Sequence, residues 1–336
     1  MPRLARLARL ARLARLARLA RLAPWLFAAC ASSVLAQGFP SRPVHLVVPF
    51  PPGGSTDVAG RIVAQKLGES WGQAVVVDNR PGAGTALAAE AVAKAAPDGY
   101  TLLLGSASTF SINPSMQSNL PYDALKSFTP IAMVGGLTLV LLANPSLPAA
   151  GLRELVAMDA ATPGALSYAS FGVGTSSHLA GEMLKSTTGM KLVHVPYKGS
   201  AQAMNDLIGG QVPLAVDTVV AAAPQIKAGK VKPLVVTTSK RSRLLPDVAT
   251  VAEAGYAGFH ADSWLAVVAP AGTPAAIVKR LREEFARVLL SSDTADRLLA
   301  AGFEPVAPDP EAYRPLVESD VRKYSAIVKS ANIKPE

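Results

Sequence analysis

Between Val44 and Gly60 the chain reads VHLVVPFPPGGSTDVAG, and this stretch limits the possible folds more than any other. Val44, Leu46, Val47 and Val48 form the short apolar run of a buried strand. Pro49, Pro51 and Pro52 stop it, because proline lacks the N–H that a sheet ladder uses. Gly53 and Gly54 allow backbone conformations closed to other residues. Ser55, Thr56 and Asp57 are helix-opening residues, and helical spacing continues through 58–67. The unit is a strand, a tight loop and a helix N-terminus. That end of a helix presents unpaired N–H groups and partial positive charge, so it suits a phosphate or a carboxylate.

Strand-like and helix-like segments then alternate, the pattern of an α/β fold with mainly parallel sheets. Strands are predicted at 46–49, 74–77 and 100–105, and helices at 56–67 and 86–95. Residues 131–143 read as a long crossing strand kinked at Gly135 and Gly136. A second set follows, with strands at 165–170, 192–195, 214–217 and 233–238. Its helices are predicted at 178–187, 201–208 and 221–228. A strand at 264–269 and helices at 274–290 and 310–330 end the pattern. Two α/β sets joined by crossing segments imply two lobes with a cleft between them. Each lobe has a Gly-rich loop opening a helix, at 53–57 and 172–177. Open α/β sheets bind ligands at the carboxyl ends of strands, so the two loops are expected to face one another.

The formal charge of +9 overstates the basic character of the folded part. Seven arginines, from Arg3 to Arg21, recur in Arg-Leu-Ala triplets; without them 26 basic residues face 24 acidic ones. That balance leaves no basic stripe and no nucleic-acid footprint. Residues 1–36 have the form of a signal peptide: a basic repeat, an apolar stretch at 22–31, and Val34-Leu35-Ala36 as a small-residue cleavage signal. Cleavage after Ala36 leaves Gln37 first. The only cysteine, Cys30, lies inside this leader, so the rest of the chain has no thiol nucleophile or disulfide. Phe27-Ala28-Ala29-Cys30 also resembles a lipoprotein box with Phe where Leu is usual, and lipidation at Cys30 is the alternative to cleavage after Ala36. No later segment has the ~18 uninterrupted apolar residues of a membrane span.

Enzyme motifs are missing: there is no G-x-S-x-G elbow, no phosphate-binding G-x-x-x-x-G-K, and no H-E-x-x-H. Gly82-x-Gly84 and Gly172-x-Gly174 begin dinucleotide fingerprints but lack the third glycine. His45, His178, His194 and His260 are scattered without metal-ligand spacing, and no cofactor, metal or catalytic residue is assigned. Strand ends instead carry donors: Ser55, Thr56, Thr85, Ser106, Ser108, Thr109, Thr175, Ser176, Tyr197 and Ser200. Hydroxyls and N–H groups of this kind solvate a carboxylate at ~1.5–3 kcal/mol per charge-assisted bond. Turn chemistry explains any one such loop; several at strand ends point to a shared site. Asp57 and Asp217 read either as helix caps or as pocket acids, and Arg80 and Lys198 are the cationic candidates.

Six ordered motifs carry a resemblance: VVPFPPGGSTD (47–57), VVVDNRPGAGT (75–85), PDGYTLLLGS (97–106), GTSSH (174–178), VPYKGSAQA (195–203) and VVAPAGTP (267–274). Together, over about residues 38–333, they resemble the solute-binding proteins of tripartite tricarboxylate transporters, the Bug family. The resemblance implies a two-lobed, type II-like periplasmic binding protein with venus-flytrap closure, each lobe a mainly parallel sheet flanked by helices. Its lobes would be 37–139 plus 263–336, and 140–262, with hinges near 140 and 263. It implies a small carboxylated ligand bound through backbone amides and ordered water. One wall would comprise Pro51, Gly53, Gly54, Ser55, Thr56, Asp57, Thr85, Ser106, Ala107 and Ser108. The other would comprise Gly174, Thr175, Ser176, His178, Tyr197, Lys198, Gly199, Ser200, Ala201 and Asp217. It also implies a large and a small membrane permease subunit as partners. Thr85 stands where a glycine is common in the family and Ser55 where several residues occur. An extracytoplasmic ligand sensor is the alternative function, and an enzyme acting on a carboxylated metabolite the more distant one.

Overall fold

The computed structural model describes residues 38–330 and Ile333; the leader, with the 34–36 cleavage signal and Cys30, lies outside them. Ten strands run β1 (Val44–Val48), β2 (Val75–Asn79), β3 (Thr101–Ser106), β4 (Phe128–Ala143), β5 (Ser167–Ser170), β6 (Val193–Pro196), β7 (Leu214–Thr218), β8 (Lys232–Val236), β9 (Asp262–Pro270) and β10 (Phe303–Glu304). The helices are α1 (Ser55–Trp71), α2 (Ala86–Ala93), α3 (Asn113–Met116), α4 (Leu152–Ala161), α5 (Ser176–Thr188), α6 (Ser200–Ile208), α7 (Val219–Lys227), α8 (Ala275–Leu289), α9 (Ser292–Ala301) and α10 (Tyr313–Ser330). A π-helical turn, Ser108–Ile112, precedes α3.

One strand organises the molecule. The first part of β4 pairs antiparallel with β9, ending at Thr138 opposite Asp262. Its last five residues, Leu139 to Ala143, pair antiparallel with β7. The chain therefore leaves one sheet and enters the other without leaving the strand. The parallel strands β2, β1 and β3 join β9 on the first side, and β6 and β5 join β7 on the second. Parallel strands thus form the outer part of each sheet, and the crossing strands supply antiparallel pairs at the join. The kink expected at Gly135 and Gly136 takes the form of register shifts at 130/132 and 133/135. A second crossing returns through Thr237, whose N–H donates to the Leu139 carbonyl and whose carbonyl accepts from Ala261 N–H.

Each sheet is covered on both faces. On the first side, Leu46, Val48, Leu102 and Leu104 pack with Val63 and Leu67 of α1 and Leu281 and Phe285 of α8. The opposite face packs Val47 and Leu103 with Ala89 of α2 and with Tyr313 and Val317. On the second side, Leu139, Leu141, Leu214 and Val216 pack with Leu155 of α4 and with Ala180 and Leu184 of α5. Val140, Leu142 and Ala215 face Ala203 and Leu207 of α6, with Val219 and Ala222 of α7. Strands buried on both faces read as continuous apolar runs, as Leu46–Val48 of β1 and Leu102–Leu104 of β3 do, while His45 near the start of β1 is exposed. With the sheets fixed this way, the carboxyl ends of β1, β3, β5, β6 and β7 all turn towards the space between them.

Candidate functional site

Four helices begin at that space. Gly54 caps α1, Thr175 caps α5 and Gly199 caps α6, in each case without a side-chain hydrogen bond to the first turn. Thr218 caps α7 and accepts from Ala221 N–H at 3.3 Å. The first-turn N–H groups of a helix have no acceptor within it, and its aligned peptide dipoles place about half a positive charge there. Pro51, Gly54, Ser55, Thr56 and Ser106 line one side of a small cavity between the two sheets; Ser176, Gly199, Ser200 and Asp217 line the other. Among the described residues no lysine, arginine or histidine lines it. An anion held here would be solvated by N–H groups, hydroxyls and helix ends.

Asp217 is the single acid among the described residues of the cavity wall. Ser200 Oγ donates to its Oδ2 at 2.6 Å, and Thr218 N–H donates to Oδ1 at 2.7 Å. Burial pushes its carboxyl up to about 6, against the pull of these bonds. The expectation that each strand-end acid is a cap or a pocket acid therefore resolves differently for the two. Asp57 is turned away from the cavity. It accepts from Gly53 N–H at 3.0 Å, Arg61 Nε at 2.9 Å and Asn79 Nδ2 at 3.0 Å, which ties the loop to α1 and to the end of β2. Gly53, at φ +88°, holds the left-handed conformation this loop needs, whereas Gly54 is extended at φ −82°.

Thr85, Thr175, Tyr197 and Lys198 lie beside a wider groove that adjoins the cavity and shares Pro51 with it. Thr85 holds φ +89°, rare for a β-branched residue, which gives a physical reason for glycine at such a position. Asn113 Nδ2 donates to its Oγ1 at 3.1 Å and to the Gly84 carbonyl at 2.8 Å. Tyr197 directs its hydroxyl to Asp206 at 2.7 Å, and Lys198 is exposed at the groove mouth. Ala107 and Ser108 are buried behind the wall, and Ala201 is exposed on α6. Gly174 N–H donates to His178 Nδ1 at 3.3 Å, so both serve the loop from behind. Arg80 pairs with its neighbour Asp78 at 2.6 Å, away from both spaces. Phe50, Leu137, Phe171, Thr218 and Ser263 line the cavity as well, and sequence reasoning passed over them. Phe50 and Phe171 meet edge to face at 6.0 Å; each stands at the start of a Gly-rich loop, which was the available signal.

The two sides touch. Ser176 N–H, the first of α5, donates across to Ser108 Oγ at 3.0 Å. Ser108→Ala is expected to weaken the closed arrangement by about 1 kcal/mol and ligand affinity about fivefold, measured by calorimetry; unchanged affinity would deny this bond a part in closure.

Two of the scattered histidines come together, contrary to their spacing in sequence. The rings of His178 and His194 stack with centroids 4.0 Å apart beneath the second Gly-rich loop. Burial lowers their pKa values to about 4 and about 3, so both are neutral. A neutral form favoured by folding gives stability that is complete above the ordinary histidine value, about 6.5, and is lost as the pH falls. Melting temperatures are expected to drop from pH 6.5 to pH 5, and less steeply in His194→Asn; equal slopes would show that the pair does not govern this range. No group of three or more histidine, cysteine or acidic residues could hold a metal among the described residues.

Two sheets joined by crossing strands, with opposed helix N-termini around the cavity between them, define a two-lobed solute-binding protein of the periplasmic type. Its particular family follows from comparison. The profile of the tripartite tricarboxylate transporter family receptor, TctC, matches residues 59–333. The chain is 38% identical to BugT of Bordetella pertussis over 308 residues, 91% of this chain and 94% of that protein. The structure of Rpa4515 from R. palustris with adipate is 37% identical with a TM-score of 0.86, covering 89% of this chain and 100% of that one. MatC from Rhodopseudomonas palustris with bound malate is 34% identical with a TM-score of 0.81, covering 86% and 100%. The chain belongs to the tripartite tricarboxylate transporter receptor family, a family of periplasmic solute-binding receptors.

Proposed function

We propose that this chain captures a small carboxylate between residues 37–139 plus 263–336 and residues 140–262, and presents it to a membrane importer of one large and one small subunit. The observation that carries this reading is the convergence on one cavity of helix N-termini whose N-cap side chains make no capping bond, with no cationic side chain among the described residues that line it. Such a wall holds a carboxylate while keeping its release easy, which suits a carrier. Bound adipate and malate in the related Rpa4515 and MatC support the same ligand class here. On this reading Pro51, Gly54, Ser55, Thr56 and Ser106 contact the ligand from one side and Ser176, Gly199, Ser200 and Asp217 from the other, with Gly53 and Asp57 shaping the first loop and His178 the second. The ligand leaves chemically unchanged, and the importer recognises the closed surface. Residues 1–36 export the chain and are removed after Ala36.

The test is a melting-temperature screen of residues 37–336 against mono-, di- and tricarboxylates, with mass spectrometry of the recovered ligand. A ligand at 100 times its dissociation constant is expected to add about 2.7 kcal/mol of stability. Conversion of the ligand would replace a receptor with an enzyme, and silence from every carboxylate on ligand-free protein would remove the carboxylate reading.

A further inference from the structure

The cavity is not uniform. The α1 side of its wall offers N–H groups without a side-chain cap, and the facing side carries a buried carboxylate. Resting on the receptor reading, we infer that the preferred ligand is a small acid that also bears a hydroxyl or ammonium donor, and that Asp217 and Ser263 read that donor.

The first support is Ser263. It is 1% exposed, lines the cavity from β9, and its Oγ has no hydrogen-bond partner among the described residues. Such atoms are few in a folded protein, because each costs free energy unless something supplies its bond. Of the five side-chain atoms in that condition, only Ser263 Oγ belongs to a residue lining the cavity. A buried hydroxyl that can both donate and accept, left unpaired on a residue of the cavity wall, fits a ligand group that does the same.

The second support is Asp217, 1% exposed. An ionised carboxylate only accepts hydrogen bonds and has about four acceptor positions. Ser200 Oγ, Thr218 N–H and, at 3.5 Å, Thr218 Oγ1 use three of them. A bare second carboxylate of a ligand placed beside it would set two like charges together and force one to take a proton. A hydroxyl fills the open position without that conflict, and an ammonium also balances the charge. Among the described residues the wall itself contains no lysine, arginine or histidine to do so. A wall made only to solvate anions has no use for this residue, whereas one that must tell a substituted acid from its plain parent does.

Calorimetric titration with succinate, malate and aspartate, and with the corresponding sets one and two methylenes longer, tests the inference. At the length that binds best, the hydroxy or amino acid is expected to bind about tenfold or more tightly than the plain acid. Asp217→Asn should remove most of that ratio, and should cost an ammonium ligand more than a hydroxyl one. Ser263→Ala should narrow it. Asp217→Asn removes a buried charge without changing shape, so unliganded it should melt at or above the wild-type temperature. The inference falls if the plain acid binds as tightly as its substituted forms, or if cooperatively melting Asp217→Asn keeps the ratio. Failure of every acid at every length to bind folded, ligand-free protein would remove the carboxylate reading and this inference with it.

Discussion

Gly199→Val is expected to fold normally and to lose most of its ligand affinity. A Cβ at Gly199 would lie 2.9 Å from Pro51 Cγ and 3.2 Å from Pro51 Cδ, on the opposite side of the cleft. The obstructing atoms belong to a rigid ring, which cannot swing aside as a flexible side chain would. Backbone strain plays no part, since Gly199 is extended at φ 170°, a conformation any residue adopts. The conflict exists only where the two loops meet, so an opened cleft accepts valine and a closed one does not. Overpacking of this kind costs about 1–3 kcal/mol, or about 5–150-fold in affinity. Small-angle scattering should show wild-type protein compacting on ligand addition and the variant remaining extended. Gly54→Ala is the contrast: its Cβ would find Pro51 O and Ser200 Cβ at 4.0 Å, an ordinary contact, and affinity should barely move. If Gly199→Val binds as wild type does, the contact between Pro51 and residue 199 is not part of closure.

These two glycines also show where sequence reading reached its limit. The motif PFPPGGSTD announces a loop and a helix start, and both are present. It does not say which glycine needs special backbone. That is Gly53, because its N–H must turn back to Asp57. Likewise, a Gly-rich loop opening a helix at 172–177 was legible, but the stacking of His178 on His194 was not. Those rings are sixteen positions apart and meet only because β5 and β6 pair in parallel beside α5.

Helices α4 and α9 escaped the periodicity for a related reason. Their buried positions include Asp159 and Thr294, so the apolar stripe is broken. Pro114, which reads as a breaker, instead occupies the first turn of α3, where its missing N–H costs nothing. Ser263 illustrates the same limit at the site: a serine opening an apolar strand carries no sign that its hydroxyl will be buried unpaired. Patterns along the chain reported local structure, whereas the cavity's chemistry depends on which strand ends the crossing of β4 brings together.

Asp57→Ala is expected to damage stability and binding at once, and the pH dependence separates the causes. Asp57 is 3% exposed, and its carboxylate joins three segments: Gly53 in the loop, Arg61 in α1 and Asn79 at the end of β2. Asn79 Nδ2 donates onward to the Phe50 carbonyl at 3.0 Å, so the knot fixes the whole wall from Phe50 to Thr56. Alanine removes the acceptor of the Gly53 N–H and of one Asn79 amide hydrogen, both only partly shielded from water, at about 0.5–1.5 kcal/mol for each bond. In a chain of this size the melting temperature should fall by about 2–8 °C. Affinity should fall too, because the Gly54 to Thr56 N–H groups lose the brace that aims them. Burial alone would raise the Asp57 pKa, but the bonds from Arg61, Gly53 and Asn79 outweigh it and hold the carboxyl below its ordinary value. A lowered pKa in the folded state gives stability that is complete above the unfolded value, about 4, and disappears as the pH falls through the folded one. The difference in melting temperature between wild type and Asp57→Ala should therefore be flat above about pH 5 and shrink below about pH 4. A difference that persisted undiminished in acid would mean that the side chain acts through packing, and the ionic knot would not be what shapes the wall.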